Sequence, residues 1–541
     1  MPVKLRVAAV QFAAGEDVEA NLAACVRMID AAAAEGAELI VLPEFCNHLS
    51  WYESRVTAHR KACTLDGPFL RAIAERAARH GAYVKLNVTL AREGGRTTAT
   101  SLLYGPDGAL LGQSDKLTLM GAEGDHLDPG QEPGPIIDTA VGRIGLYACM
   151  EGVTADVTRD LSVRGAQVLL NSLNSFAVDE ASLHIPVRAA ENKVWVIAAN
   201  KVGSLLPEEH LPAIAERLGV PQEWLHGAGE SQIVSPDGTV VAKAPRTGEA
   251  VAVADIEVAA ADLKVRADGV DVLARRRPEL YGPIASAPVE RTAPAGAEAV
   301  KVAVVASADP ASGAAEAAAA GAELIVLPEL AFGEAERAEV VAELGKALAG
   351  TSAHAVTSAR DGDAHIGLVV SAEGEAGAQV KLHASPATPW ATRLGDAVEV
   401  ITLPFGRLAV VVGDDAVTVE TFRLAAIADA DVVAVPRSAG EPWETELGLP
   451  ERAAENRVNV VAAWSEGGQI LDLPADFTLW TAWEGPFTGR ISHPIVADAG
   501  PGVTYGVVHP AQAVNRFVSK NTDLVGGRAW RALSGLIATR S

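Results

Sequence analysis

One nine-residue word occurs twice in this chain. Gly36-Ala-Glu-Leu-Ile-Val-Leu-Pro-Glu44 returns letter for letter as Gly321 to Glu329. Further along, Arg188-Ala-Ala-Glu-Asn192 returns as Arg452 to Asn456, and Gly142-Arg-Ile-Gly-Leu146 is matched by Gly406-Arg-Leu-Ala-Val410. The words keep their order, and their period is far too long for a solenoid unit. A chain of 541 residues also exceeds what one hydrophobic core supports. It therefore reads as one domain built twice: residues 1–284, an Ala/Pro-rich linker over 285–297, and a second copy over 298–541.

Within the first copy, short apolar runs alternate with helical ones. Val7–Phe12, Leu39–Leu42, Tyr83–Leu90, Ile144–Ala148, Val168–Asn171 and Val194–Ala199 have the length and content of buried strands. Pro68–Arg79, Val153–Gly165 and Ser182–Asn192 read as helices, the second with Thr154, Asp156, Thr158, Arg159 and Asp160 on its polar side. Pro106-Asp-Gly108 and Ser235-Pro-Asp-Gly238 are hairpin turns. Pro207–Gly227 looks like a helical insertion. Hairpins mixed with βαβ units predict an α/β protein whose sheets are covered by helices.

Charge narrows the partners. With 45 Lys+Arg against 69 Asp+Glu the net charge is −24, which disfavours nucleic acid and anionic membrane. Met1–Phe12 reads as a first strand rather than a leader, and no apolar run reaches the length of a membrane span. The four cysteines, Cys25, Cys46, Cys63 and Cys149, lack metal-like spacing, so a reduced, cytoplasmic protein without a metal site is expected.

Cys149 stops the apolar run Ile144–Ala148, just before a turn at Gly152 and the next helix. That is where open α/β sheets place their chemistry, with backbone N–H groups at hand for a thiolate or an oxyanion. A thiol nucleophile needs a base and a cation beside it. Glu44 follows Leu39–Leu42, Lys116 follows the hairpin strand, and Glu123 lies in the Gly/Asp-rich loop 121–130.

Taken together, Leu-Pro-Glu44-Phe, Asp-Lys116-Leu with Glu123, Cys149-Met-Glu151 and Arg188-Ala-Ala-Glu-Asn192 before Ile197-Ala-Ala-Asn200 resemble the nitrilase, or carbon–nitrogen hydrolase, superfamily. The resemblance spans residues 4–282. It implies an α-β-β-α sandwich, duplicated here in tandem, and a triad of Glu44, Lys116 and Cys149 with Glu123 as auxiliary carboxylate. It implies hydrolysis of a small amide through a cysteine thioester, with no metal or organic cofactor. N-carbamoyl amide and nitrile hydrolysis are the alternatives within the class, and a non-catalytic scaffold the alternative outside it. Met150, Glu151, His126, Asn174, Ser175 and Phe176 are candidate substrate contacts. Arg188 is a further candidate, or else a structural ion-pair former.

The second copy departs where chemistry requires conformity. Glu329 matches Glu44 and Lys381 matches Lys116, but Cys149 falls on Gly413, followed by Asp414 and Asp415. No cysteine follows Cys149, so the second copy is expected to be inactive. Because relatives of the first domain are implied to pair through a two-fold interface, the two copies are expected to form a pseudo-dimer within one chain, with further self-association possible.

Overall fold

The computed structural model describes residues 4–475 and 488–538. The first half holds two six-stranded sheets. One is ordered Ala250–Ile256, Leu5–Gln11, Leu39–Val41, Tyr83–Ala91, Thr97–Tyr104, Leu110–Asp115. The other is ordered Val240–Lys243, Gln232–Val234, Trp195–Ala199, Val168–Ser172, Gly142–Ala148, Ile137–Thr139. In each sheet the three central strands are connected through helices and run parallel, and the outer ones are added antiparallel.

The layers follow from which faces are apolar. Val7, Ala9, Leu39 and Val41 of the first sheet meet Ile144, Leu146, Leu170 and Ile197 of the second. Outside the first sheet, helices Val18–Ala34 and Pro68–His80 bury Cys25, Ile29, Leu70 and Ile73. The side chain of Asp17 caps the first of these helices; Pro68 starts the second, and Gly81, at φ +61°, ends it. Outside the second sheet, Ala155–Val163 and Ile185–Asn192 bury Leu161, Ile185 and Ala189. This is the α-β-β-α sandwich.

The second half repeats it strand for strand. Its sheets are ordered Gly502–Val508, Val300–Ala306, Leu324–Val326, His354–Asp361, Ala364–Ser371, Gly374–Val380, and Ile495–Ala499, Gly467–Asp472, Asn459–Trp464, Val432–Pro436, Gly406–Val410, Val400–Leu403. Even uncommon backbone angles recur: Phe45 (φ 52°) and Leu330 (φ 50°), Lys193 and Arg457 (both φ 50°). Among the described residues no helix is long and apolar enough to cross a membrane.

The polar side of helix Ala155–Val163, in the region expected to face residues 407–430, is turned toward the second half. All nine of its residues are buried, because the helix packs against the second half. Arg159 pairs with Glu420 at 3.0 Å, and Arg423 pairs with Asp156 in return. Arg188 bonds Glu455 at 2.8 Å and Glu451, while Arg452 bonds Glu191. Each arginine thus reaches across to an acid at or next to the repeat position of its counterpart's acid. Met150, Val153 and Ala177 join an apolar cluster with Phe422, Leu449 and Val518 of the second half.

Segment 275–281, read as the close of the first copy, also crosses over. Arg275 reaches Asp414, Arg276 reaches Glu420, and the Tyr281 hydroxyl lies 2.9 Å from His383 Nε2. The linker lies along the second half, where Arg291 pairs with Asp431 and the Ala297 N–H donates to the Phe405 carbonyl.

Breaking one partner of a buried pair leaves a charge without water or counterion. Arg188→Met should therefore cost about 3–5 kcal/mol. Arg27→Met, which removes a pair with Glu249 whose side chains are 55% and 43% exposed, should cost under about 1 kcal/mol. Unfolding midpoints of the two variants measured side by side check the contrast.

Candidate active site

Sheet register brings the site together. Ala148, Ser172 and Ala199 are paired across the three parallel strands, so the segments that follow leave the sheet at one level. Cys149 begins the turn Cys149–Gly152 at φ 47°, left-handed backbone that costs a side-chain-bearing residue energy and recurs at functional positions. Its N–H donates to Asn171 Oδ1 at 3.0 Å, which fixes that turn. Glu44 leaves the facing sheet, its N–H donating to the Leu173 carbonyl. Lys116 follows strand Leu110–Asp115, its N–H bonded to the Ala99 carbonyl.

The Lys116 ammonium sits between two carboxylates. Nζ is 2.8 Å from Glu44 Oε1 and 2.8 Å from Glu123 Oε2. The Lys116 and Glu44 side chains have no exposure, and Glu123 has 7%. Glu123 opens the single helical turn Glu123–His126 and also accepts the Met120 N–H at 2.9 Å. Among the described residues Glu44 Oε2 has no hydrogen-bond partner. A fully buried carboxylate oxygen without a donor is expensive unless a proton can reach it.

Burial and charge set the protonation states. Burial opposes a charged Lys116, but Glu123 and Glu44 together hold its pKa well above the usual lysine range. Burial raises Glu44 above the usual carboxylate range; Lys116 opposes that rise and Glu123 adds to it. Burial and then the Glu44 charge push Cys149 well above the ordinary thiol value, with Lys116 opposing. Both effects favour the neutral thiol over the thiolate at Cys149.

A cavity of about 340 Å³ reaches Cys149 and Glu123. Trp51, Met120 and Phe176 line it from the loops, and Leu205, Leu206, Ile214 and Leu225 from residues 205–225. Ser50, Asn174 and Asp125 add polar atoms, and Ser519 and Lys520 come from the second half.

Of the six residues read as substrate contacts, Asn174 and Phe176 line this cavity. Glu151 instead turns inward and accepts the N–H groups of Leu117 and Ala148, both at 2.8 Å. It ties the segment after Lys116 to the one before Cys149, and burial raises its pKa to about 7. Met150 is buried in the apolar contact between halves. Ser175 is held by Asn200, whose Oδ1 accepts its N–H, and its hydroxyl accepts the Ala177 N–H. His126 packs edge-on against Trp51 and Tyr52, behind the cavity wall. Arg188 serves the ion pairs between halves.

Other residues carried signals that pattern reading passed over. Lys85 is fully buried in strand Tyr83–Ala91; burial lowers its pKa to about 7, and Nζ bonds the Tyr147 carbonyl at 3.3 Å. Lys201 is likewise buried, with its pKa lowered to about 8, and lies 5.9 Å from the Phe45 ring, which Lys116 approaches to 5.8 Å. Residues 207–227 were legible as an insertion, but nothing in their order says that they wall a pocket.

In the second half the same backbone carries a different arrangement at the matching positions. Gly413 keeps the left-handed conformation of Cys149, at φ 59°. Glu329 has swung to Ser438, accepting its N–H at 3.0 Å and its hydroxyl at 2.7 Å. Lys381 has left it for Asp414 and the Val412 carbonyl. Glu329→Gln should therefore leave turnover within about twofold of the parent, since it alters only the two hydrogen bonds to Ser438, each of modest worth. Steady-state rates of the folded variant check this.

The carbon–nitrogen hydrolase family model matches residues 6–263. A nitrilase from Pyrococcus abyssi is 26% identical over 262 residues, covering 48% of this chain and 92% of that protein. An omega-amidase from Bos taurus is 27% identical, covering 51% of this chain and 96% of its own length. Among solved structures, an amidase from Nesterenkonia sp. is similar with a TM-score of 0.41 at 21% identity, over 51% of this chain and 95% of that one. Residues 6–263 form a carbon–nitrogen hydrolase domain of the nitrilase superfamily.

Proposed function

We propose that the first half hydrolyses a small amide through a thioester on Cys149. The observation that carries this reading is the buried Glu44–Lys116–Glu123 arrangement beside a cysteine held at positive φ. The unpartnered Glu44 Oε2 supplies the place for a proton.

The amide carbon lies over Sγ. As the S–C bond forms, the thiol proton passes to Glu44, so a discrete thiolate is never required. The carbonyl oxygen takes up negative charge against Lys116 Nζ and the Met150 N–H; the Cys149 N–H is already committed to Asn171. Collapse breaks the C–N bond, and Glu44 returns its proton to the leaving nitrogen. Ammonia or amine departs and a thioester remains. Glu44 then takes a proton from water as it attacks the thioester carbon, and the acid leaves as Cys149 regains its proton. Glu123 keeps Lys116 charged despite burial. The mostly apolar cavity favours an aliphatic or aromatic acyl group over a charged one.

Cys149→Ala, Glu44→Gln and Lys116→Ala should each reduce ammonia release from an amide panel by roughly 10⁴-fold, because residues acting as one unit fail together. Intact-mass analysis should find the acyl group on Cys149 in the parent. A Cys149→Ala protein with substantial residual turnover would sink the mechanism.

The pH profile adds an independent check. Glu44 works as a base only when ionised, and its pKa is raised in part by the neighbouring Glu123 charge. The acid limb of kcat/KM should therefore lie above the ordinary carboxylate range. Glu123→Gln removes that repulsion and should move the limb to lower pH, even as it lowers the plateau. A limb that stays in place would take Glu44 out of the role of base.

A further inference from the structure

The cavity wall is not made by the first half alone. In the second half Phe517–Ser519 and Thr522–Asp523 form a two-stranded hairpin. It reaches the loop that carries Glu123. Thr522 Oγ1 accepts the Gly121 N–H at 2.8 Å and donates to the Leu119 carbonyl at 3.1 Å. Lys520 Nζ pairs with Asp125 Oδ2 at 2.8 Å. Ser519 lies so close to Gly121 that a Cβ on that glycine would come within 2.7 Å of its hydroxyl. Gly121 is also at φ +55°. The loop is thus built to receive the hairpin, and Ser519 and Lys520 line the cavity beside Cys149.

We propose that this hairpin makes the inactive second half a working part of the first half's active site, with two separable duties. Thr522 is a positioning residue: its two hydrogen bonds hold residues 119–121, next to the Met120 N–H that grips Glu123. Glu123 in turn holds Lys116. Lys520 is a specificity residue. It stands at the cavity wall on the rim formed with Asp125, where the far end of an acyl chain extending from Cys149 would arrive. The inference rests on the triad reading above, which supplies the site that the hairpin completes.

The test uses the full chain. Thr522→Val removes both hydrogen bonds at constant shape, Thr522→Ser keeps them, and Lys520→Met removes the ammonium while retaining much of the stem. Each is assayed on acetamide, butanamide and hexanamide, and by the rate at which iodoacetamide alkylates Cys149, followed by peptide mass mapping. The labelling measurement does not depend on which amide the enzyme turns over best. Thr522→Val should lower kcat on every amide turned over, and slow labelling, by about tenfold, the worth of one net hydrogen bond. Thr522→Ser should stay within about twofold of the parent, as expected if the two bonds are what matters. Lys520→Met should change the ratio of kcat/KM for hexanamide to that for acetamide by at least about fivefold, the size expected of one altered contact in a pocket.

Parental labelling, kcat and KM in Thr522→Val and Lys520→Met would overturn the proposal. So would equal impairment of the Ser and Val variants, which would make the hairpin a mere packing element. Failure of the triad reading gives a different signature: Cys149→Ala retains turnover, or Cys149 in the parent does not label at all. In that case the inference falls with it.

Discussion

The site depends on one ammonium group kept charged without water. Lys116 has no exposure, and burying a lone cation would cost several kcal/mol. Two carboxylates at 2.8 Å recover that cost, yet they are not equivalent. Glu123 offers both oxygens to Lys116, whereas Glu44 gives one and keeps the other unpaired. One acid neutralises the cation and the other stays available for a proton. Everything that surrounds them is placed to hold this division. Glu151 ties the segments bearing Lys116 and Cys149 together through two backbone N–H groups, and Asn171 holds the turn at Cys149.

The same logic, with the opposite outcome, governs the contact between halves. Crossed pairs such as Arg159–Glu420 and Arg423–Asp156 keep the repeat's symmetry. Other positions have diverged. Glu451 stands where the first copy has Val187, and His184 where the second has Gly448. His184 Nδ1 is 2.9 Å from Glu451. Burial disfavours the imidazolium, but Glu451 and Asp179 hold its pKa well above the usual histidine value. A first half paired with its own copy would face His184 with Val187 and deprive Arg188 of Glu451. The contact suits one half to the other rather than either to itself.

Much of this was legible in the order of residues. The repeated words located the two sandwiches, and Glu44, Lys116, Glu123 and Cys149 were singled out together by the motif words that resemble the nitrilase superfamily, since each alone could be an ordinary loop or strand-end residue. What lies between elements was harder. Glu151 neighbours Cys149 in sequence but points inward, because backbone donors claim its carboxylate. Asp156 and Arg159 were legible as the polar side of a helix, but periodicity separates polar from apolar without naming the individual residues that the polar side meets. Ser519 and Lys520 sit almost four hundred residues from the cysteine whose pocket they line. Only tertiary packing brings them there.

The glycine that replaces the cysteine in the second half has a longer consequence. Left-handed backbone at that turn strains any residue with a Cβ, and Gly413 removes the strain. Glu329 occupies the space beside it: a Cβ at Gly413 would lie 2.2 Å from its Oε1. Restoring the cysteine by a single substitution would now meet a carboxylate already anchored to Ser438. A thiol at that turn would need Glu329 to give up its place as well, so two positions of this backbone are bound to one another although they lie 84 residues apart.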